Sequence, residues 1–163
     1  PQYRPPSLVD YFRRNPQQLP ANTTLAQRTA RIYANKYWNE TGVYLRPASE
    51  ASYRARVVTG IGEPLRDREF PVRGIEGEDW NDLAHKSAAL LHGKRKDDAK
   101  WFALVGTIDR KNPSVIVDGA EFTVPLGGQL QCYFNDVELE FFYGNNSGWV
   151  VLEIEQVGSG PNQ

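Results

Sequence analysis

The sequence predicts an all-β fold, a jelly-roll type of β-sandwich with a helical extension at its N-terminus. Several short segments alternate apolar and polar side chains, which is the pattern of strands with one buried face. Turn-forming residues separate these segments, as in β-sandwiches. The chain has 163 residues, of which 40% are hydrophobic and 12% aromatic. It can therefore bury a substantial core and also carry an appendage.

The first part of the chain, residues 1–37, is predicted to be helical and irregular, because five prolines interrupt its first twenty positions. Ser7 begins a weak capping box for a short first helix. Thr23, or the threonine after it, is expected to cap a second helix in which Leu25, Ile32 and Tyr33 lie on one apolar face. This part is either an extension of the sandwich or the end of a preceding domain.

The sandwich itself is predicted to span residues 38–157, and residues 158–163 form a tail. Alternating or nearly unbroken apolar residues predict strands at 53–59, 101–108, 122–124, 129–134 and 150–155. A long, polar and charged segment separates the first two of these strands. Its centre, 81–91, is either a helix that Asn81 caps and Gly93 closes or part of a long crossing loop.

Composition and charge exclude several classes of protein. No apolar run approaches the roughly 20 residues of a membrane helix, so a membrane span is not expected. The net charge is −1, and from Glu121 onward six acidic residues occur without any Lys or Arg. The N-terminal part is basic but lacks a basic run or interleaved aromatic residues, so nucleic-acid binding is not expected. Cys132 is the only cysteine, and its place in an alternating strand predicts a buried structural thiol.

The most informative stretch is 134–148, which reads Phe-Asn-Asp-Val-Glu-Leu-Glu-Phe-Phe-Tyr-Gly-Asn-Asn-Ser-Gly. Asp136 offers a carboxylate, and Asn145 and Asn146 offer amide oxygens. Ca²⁺ binds about six to eight such oxygens and tolerates irregular geometry. The imidazole and thiolate ligands that suit transition metals are absent from the stretch. The same residues also fit a long hairpin loop, because Asn and Gly are ordinary turn residues.

Residues 98–157 resemble the calcium-dependent galactophilic lectin family, typified by the small galactose-binding lectin of Pseudomonas. The motifs that carry the resemblance are Trp-Phe-Ala-Leu-Val-Gly at 101–106, Asn-Asp-Val at 135–137 and Tyr-Gly-Asn-Asn-Ser-Gly at 143–148. The resemblance is weaker over 38–60 and absent near the N-terminus. It implies a galactose-binding-like β-sandwich that acts as a bacterial, non-catalytic lectin module with Ca²⁺ as its cofactor.

The resemblance also implies a metal site and a sugar site that share residues. The implied metal ligands are Asp136, Phe142, Asn145 and Asn146. Phe142 would contribute its main-chain carbonyl and the other three their side chains, with a further main-chain ligand near 60–65. The implied sugar contacts are Asp136, Val137, Tyr143, Asn145 and Asn146. In the family, vicinal hydroxyls of the sugar complete the coordination of the cation.

One departure from the family pattern bears on this site. The loop between Asp136 and Asn145 is two residues longer than in the family and has no Pro or Gly before Gly144. On one interpretation, Glu138 or Glu140 of this loop adds a ligand to the metal site. On another, Phe141 and Phe142 fill the sugar pocket.

Two further functions stay open at this stage. The first is a structural or protein-interaction β-sandwich appended to a larger enzyme, with calcium and sugar binding lost. The second is a hydrolase that would use His85, which lies near Asp79, Asp82 and Ser87, the residue types of an acyl-transfer set, although no nucleophile elbow is present. On the lectin hypothesis the partners are galactose-type glycans, and homo-oligomers or attachment to a larger chain are expected. The lone cysteine leaves the compartment open, and a lectin favours a secreted or cell-surface location.

Overall fold

A computed structural model describes residues 28–159 and contains two antiparallel β-sheets that share one hydrophobic core. The strands are β1 (Arg28–Tyr33), β2 (Asn39–Leu45), β3 (Ala51–Asp67), β4 (Phe70–Val72), β5 (Leu104–Ile108), β6 (Lys111–Val115), β7 (Glu121–Phe122), β8 (Gly128–Phe134) and β9 (Asn146–Ser159). One α-helix, α1 (Leu83–His92), and a 3-10 helix (Glu140–Asn145) complete the described elements. The predicted β-sandwich is therefore confirmed.

The first sheet has the strand order β1-β9-β3-β4, and β7 also pairs with β3. The second sheet has the order β2-β8-β5-β6. Neither sheet contains a parallel pair within the described residues. β3 and β9 are the longest strands, and their pairing extends from Ala51↔Ser159 to Asp67↔Asn146. The far end of this pair carries the candidate site.

The core lies between the sheets and follows the alternation seen in the sequence. Leu152 and Ile154 of β9 face inward, as do Leu130, Cys132 and Phe134 of β8. The thiol of the cysteine is fully buried, which confirms the predicted structural role. Every residue of β5 is buried, as its nearly unbroken apolar sequence predicts for a central strand.

The predicted second helix is wrong where the structure describes it, because residues 28–33 form β1. This strand pairs along its whole length with β9, from Arg28↔Ile154 to Tyr33↔Trp149. Ala30 and Ile32 point into the core. The spacing of the apolar residues fits a helix, but pairing with a distant strand overrides so weak a local preference. The sheet thus includes residues ahead of the predicted boundary at 38.

Both ends of the chain extend beyond the described residues. The predicted short first helix, the start of the predicted second helix and residues 160–163 lie outside them. β9 continues to Ser159, so the first two residues of the predicted tail, 158 and 159, belong to a strand.

Residues Leu83–His92 form a helix, so the helical alternative for 81–91 is correct, but the helix begins later than predicted. α1 begins after Asp82, not after Asn81, because the Asp82 carboxylate accepts a hydrogen bond from the backbone N–H of His85 at 3.2 Å. Gly93 ends the helix with a φ of 74°, and its N–H donates to the carbonyl of Ala89 at 3.0 Å.

Candidate functional site

Three strand ends from the two sheets meet at one end of the sandwich. β8 ends just before Asn135 and Asp136, β9 begins at Asn146, and β3 ends at Asp67, whose Cα pairs with that of Asn146. A cavity of about 140 Å³ lies at this junction. Its wall includes Asp67, Arg68, His85, Asp136, Phe142 and Asn145, and two alanines of α1.

Asp136 is the central carboxylate of the cavity. It is only 4% exposed. Its Oδ1 accepts a hydrogen bond from the N–H of Val137 at 2.7 Å, and its Oδ2 accepts one from Nδ2 of Asn146 at 2.8 Å. Burial raises the pKa of Asp136 to about 6, and the nearby charge of Asp67 acts in the same direction. The hydrogen bonds from Asn146 and Val137 lower the pKa but do not offset the burial.

The two asparagines each present an unpaired oxygen. Oδ1 of Asn145 and Oδ1 of Asn146 are buried, and neither has a hydrogen-bond partner among residues 28–159. A buried acceptor without a donor costs about 1–3 kcal/mol, so such atoms require an explanation. Asn145 lines the cavity with Asp136, and Asn146 bonds to the carboxylate of Asp136 through its Nδ2. Arg68 is a basic residue of the same cavity wall. The side chains of Asp136, Asn145 and Asn146 supply a set of hard oxygens. This donor set fits Ca²⁺, and it does not fit a transition metal.

The loop that follows Asp136 places its side chains in different surroundings. Val137 and Phe142 line the cavity. Phe141 points away and is 85% exposed, so only one of the two phenylalanines occupies the cavity wall. Glu138 and Glu140 are exposed and do not line the cavity. The structure therefore does not bring a loop glutamate to the site.

Tyr143 is not brought to the cavity either. Its side chain is 1% exposed, and its hydroxyl donates to the carbonyl of Phe134 at 2.7 Å. Arg95 donates to the same hydroxyl at 3.3 Å, and the guanidinium lies 3.6 Å from the ring centroids of both Tyr37 and Tyr133. Tyr143 thus anchors the 3-10 helix to the core, and we remove it from the set of sugar contacts.

Asn135 supports the site from behind. The residue is fully buried, and its Oδ1 accepts a hydrogen bond from the N–H of Lys96 at 2.8 Å. Its Nδ2 donates to the carbonyls of Lys96, Ala99 and Lys100 at 2.9–3.2 Å. This side chain therefore holds the segment after α1 against the strand end that carries Asp136.

A second carboxylate, that of Asp67, lies in the cavity and was not predicted from the sequence. Oδ2 of Asp67 lies 2.8 Å from Nε2 of His85, and Nδ1 of His85 lies 2.6 Å from Oδ1 of Asp82. The imidazole is 5% exposed and packs against the rings of Trp80 and Trp101, at centroid distances of 4.4 and 5.0 Å. Asp82 and His85 are three residues apart at the start of a helix, so the contact between these two residues could have been predicted from the sequence.

This arrangement argues against the hydrolase hypothesis. Both ring nitrogens of His85 are bonded to carboxylates, so neither is available to a substrate as a general base. His92 lies elsewhere, with its ring 5.2 Å from that of Phe142.

Two further observations concern residues 28–159 as a whole. Within this range no three His, Cys, Asp or Glu side chains are grouped to hold a metal ion, so a cation at the cavity would depend on amide and main-chain oxygens as well.

The helices in the same range are too short or too polar to cross a membrane.

Together, the fold and the cavity define a class of protein, an antiparallel β-sandwich with an oxygen-rich cavity at one end. A solved structure described as "EclA N-terminal domain; PllA-like lectin" is similar to this chain, with a TM-score of 0.53 at 15% sequence identity. The match covers 81% of this chain and 98% of that chain. At this identity the likeness concerns the fold. No family model matches the sequence, and no curated protein matches it significantly.

Proposed function

We propose that this domain is a non-catalytic, calcium-dependent carbohydrate-binding module for galactose-type sugars. The observation that carries the proposal is the pair of buried, unpartnered Oδ1 atoms of Asn145 and Asn146 beside the desolvated carboxylate of Asp136. The similar fold of a chain described as a lectin supports it. The resemblance of the Asn-Asp and Tyr-Gly-Asn-Asn-Ser-Gly motifs to galactophilic lectins supports the choice of sugar.

The proposed metal ligands are the side chains of Asp136, Asn145 and Asn146 and the main-chain carbonyl of Phe142. A bound Ca²⁺ would supply positive charge and open coordination positions for two adjacent sugar hydroxyls. Asp136 and the asparagines would also accept hydrogen bonds from those hydroxyls, and charge-assisted bonds of this kind are stronger than neutral ones. The ring of Phe142 and the side chain of Val137 offer an apolar wall for the C–H face of the sugar.

Retention on a galactose resin tests this function. The wild-type protein is expected to bind the resin in millimolar Ca²⁺ and to elute with excess chelator or free galactose. Asp136→Asn is expected to flow through, because it removes the one charged proposed ligand. Glu140→Gln is the matched control, since it removes a charge from the same loop at an exposed position outside the cavity. Retention of Asp136→Asn equal to that of the control contradicts the proposal.

A second function is favoured by a separate observation, which is exposed apolar surface beside the cavity. Leu83, Leu90 and Leu91 of α1 are 73–87% exposed, and Phe141 of the 3-10 helix is 85% exposed. Large exposed apolar side chains mark interaction surfaces when they cluster. On this alternative the domain is a structural or protein-interaction unit attached to a larger chain. It predicts no signal on a glycan array in the presence of Ca²⁺, and a clear galactoside signal rules it out as the main function.

A further inference from the structure

Asp67 is fixed close to both asparagines of the proposed metal site. It is the last residue of β3, and its Cα pairs with that of Asn146. The next residue, Arg68, donates its backbone N–H to the carbonyl of Asn145 at 3.2 Å. Asp67 is 8% exposed and lines the cavity together with Asp136. Main-chain pairing therefore places a second carboxylate at the cavity.

Among the described residues, one oxygen of this carboxylate has a hydrogen-bond partner. Oδ2 of Asp67 bonds to the imidazole of His85 at 2.8 Å, and within residues 28–159 the structure shows no hydrogen bond to Oδ1. The imidazole cannot turn away, because Asp82 holds its other nitrogen at 2.6 Å and three aromatic rings surround it, those of Phe70, Trp80 and Trp101. A hydrogen bond of this kind orients a carboxylate and leaves its second oxygen to another partner.

The proposed metal site has room for this oxygen. Asp136, Asn145, Asn146 and the carbonyl of Phe142 together provide at most five protein oxygens, even with a bidentate Asp136, whereas Ca²⁺ takes about six to eight. The affinity of such sites rises with the number of charged ligands. The carboxylates of Asp67 and Asp136 line the same cavity, so a cation between them would offset their mutual repulsion.

We propose that Asp67 is a ligand of the cation through the carboxylate oxygen that is not bonded to His85. This inference rests on the proposed function, because it adds a ligand to the same metal site. It differs from the set implied by resemblance, which draws on a main-chain oxygen in this part of the chain. The competing account is that Asp67 and His85 form a buried pair that only attaches α1 to the sandwich.

Luminescence of Tb³⁺, a substitute for Ca²⁺, separates the two accounts. Trp101 lines the cavity, so its excitation sensitises a bound Tb³⁺, and displacement by Ca²⁺ gives the calcium affinity. Asp67→Asn keeps the size of the side chain and is expected to weaken Ca²⁺ binding by at least about tenfold. The matched control is Glu69→Gln in the exposed turn after β3, which removes the same charge two residues away. The control is expected to stay within about twofold of the wild type, as a solvent-exposed charge is well screened.

The outcomes of this experiment distinguish the inference about Asp67 from the proposed function. If the wild type binds Ca²⁺ and Asp67→Asn binds it as well as the control does, the inference about Asp67 is wrong and the proposed function stands. If the wild type binds neither ion, both fail. Should Asp67→Asn not fold, a crystal structure of the calcium-soaked wild type replaces it. The expected result is an Asp67 oxygen at about 2.3–2.6 Å from the ion. An Asp67 carboxylate outside the coordination shell overturns the inference.

Discussion

The carboxylate of Asp136 has two opposite effects. Its ionised form destabilises the metal-free fold, and on our proposal it binds the metal. Replacing Asp136 by asparagine separates these effects. Burial raises the pKa of Asp136 from 3.8 to about 6 in the folded protein. One pKa unit corresponds to about 1.36 kcal/mol, so ionised Asp136 costs the metal-free fold up to about 3 kcal/mol at neutral pH. Asparagine is neutral at every pH of interest and avoids this cost.

The sign of the pH dependence follows from the direction of the shift. Because the folded state holds this proton more tightly than the unfolded state, the cost is absent below about pH 4. It grows as the pH rises through the interval between the two pKa values, 3.8 and about 6, and is constant above it. We therefore expect metal-free Asp136→Asn to match the wild type near pH 4 and to exceed it by about 1–3 kcal/mol at pH 7.5.

Urea denaturation in the presence of chelator measures this difference, with Glu140→Gln as the exposed control in the same loop. Saturating Ca²⁺ is expected to reverse the order of stability, because only the wild type gains the binding free energy. The reasoning about the buried charge is refuted if metal-free Asp136→Asn is less stable than the wild type at pH 7.5. It is also refuted if the difference between the two proteins does not change with pH.

Three further predictions concern the support of the site and the core. Asn135→Ala leaves the N–H of Lys96 without its acceptor and removes one of two donors from each of three carbonyls. We expect a loss of about 1–3 kcal/mol in urea denaturation together with faster amide exchange over 96–100. Gly148→Ala places a Cβ 2.1 Å from the carbonyl oxygen of Pro64 at a φ of 93°, so a loss of about 2 kcal/mol or more is expected. Burial raises the pKa of Cys132 to about 12, so a thiol reagent is expected to modify the native protein only at its unfolding rate.

Much of the sandwich could be predicted from the sequence because its strands carry a strong period-two signal. The residues that the alternation in β8 and β9 places inward lie in the core, although Gln131 and Tyr133 on the other face of β8 are buried as well. The glycine at 93 ends α1 where expected. β1 could not be predicted in this way. Its partner lies more than 100 residues away, and only the register with β9 turns Ala30 and Ile32 into the core.

The candidate site was predicted in part for a similar reason. Asp136, Asn145 and Asn146 are close in sequence and belong to one motif, and the structure keeps them together. Asp67 and His85 join them from a strand end and a helix, so their contact depends on tertiary packing and leaves no local pattern. Tyr143 belongs to the motif, yet the longer loop forms a 3-10 helix that turns its side chain into the core.

The most direct test of the central claim is a calorimetric titration of Ca²⁺ into chelator-treated wild-type protein. The account predicts one site per chain with a dissociation constant in the micromolar range or below, which lies within the range that oxygen-liganded calcium sites span. Oδ1 of Asn145 and Oδ1 of Asn146 would then have the partner that they lack in the metal-free protein. No heat of binding and no thermal stabilisation in millimolar Ca²⁺ would contradict the account, and the protein-interaction function would take its place.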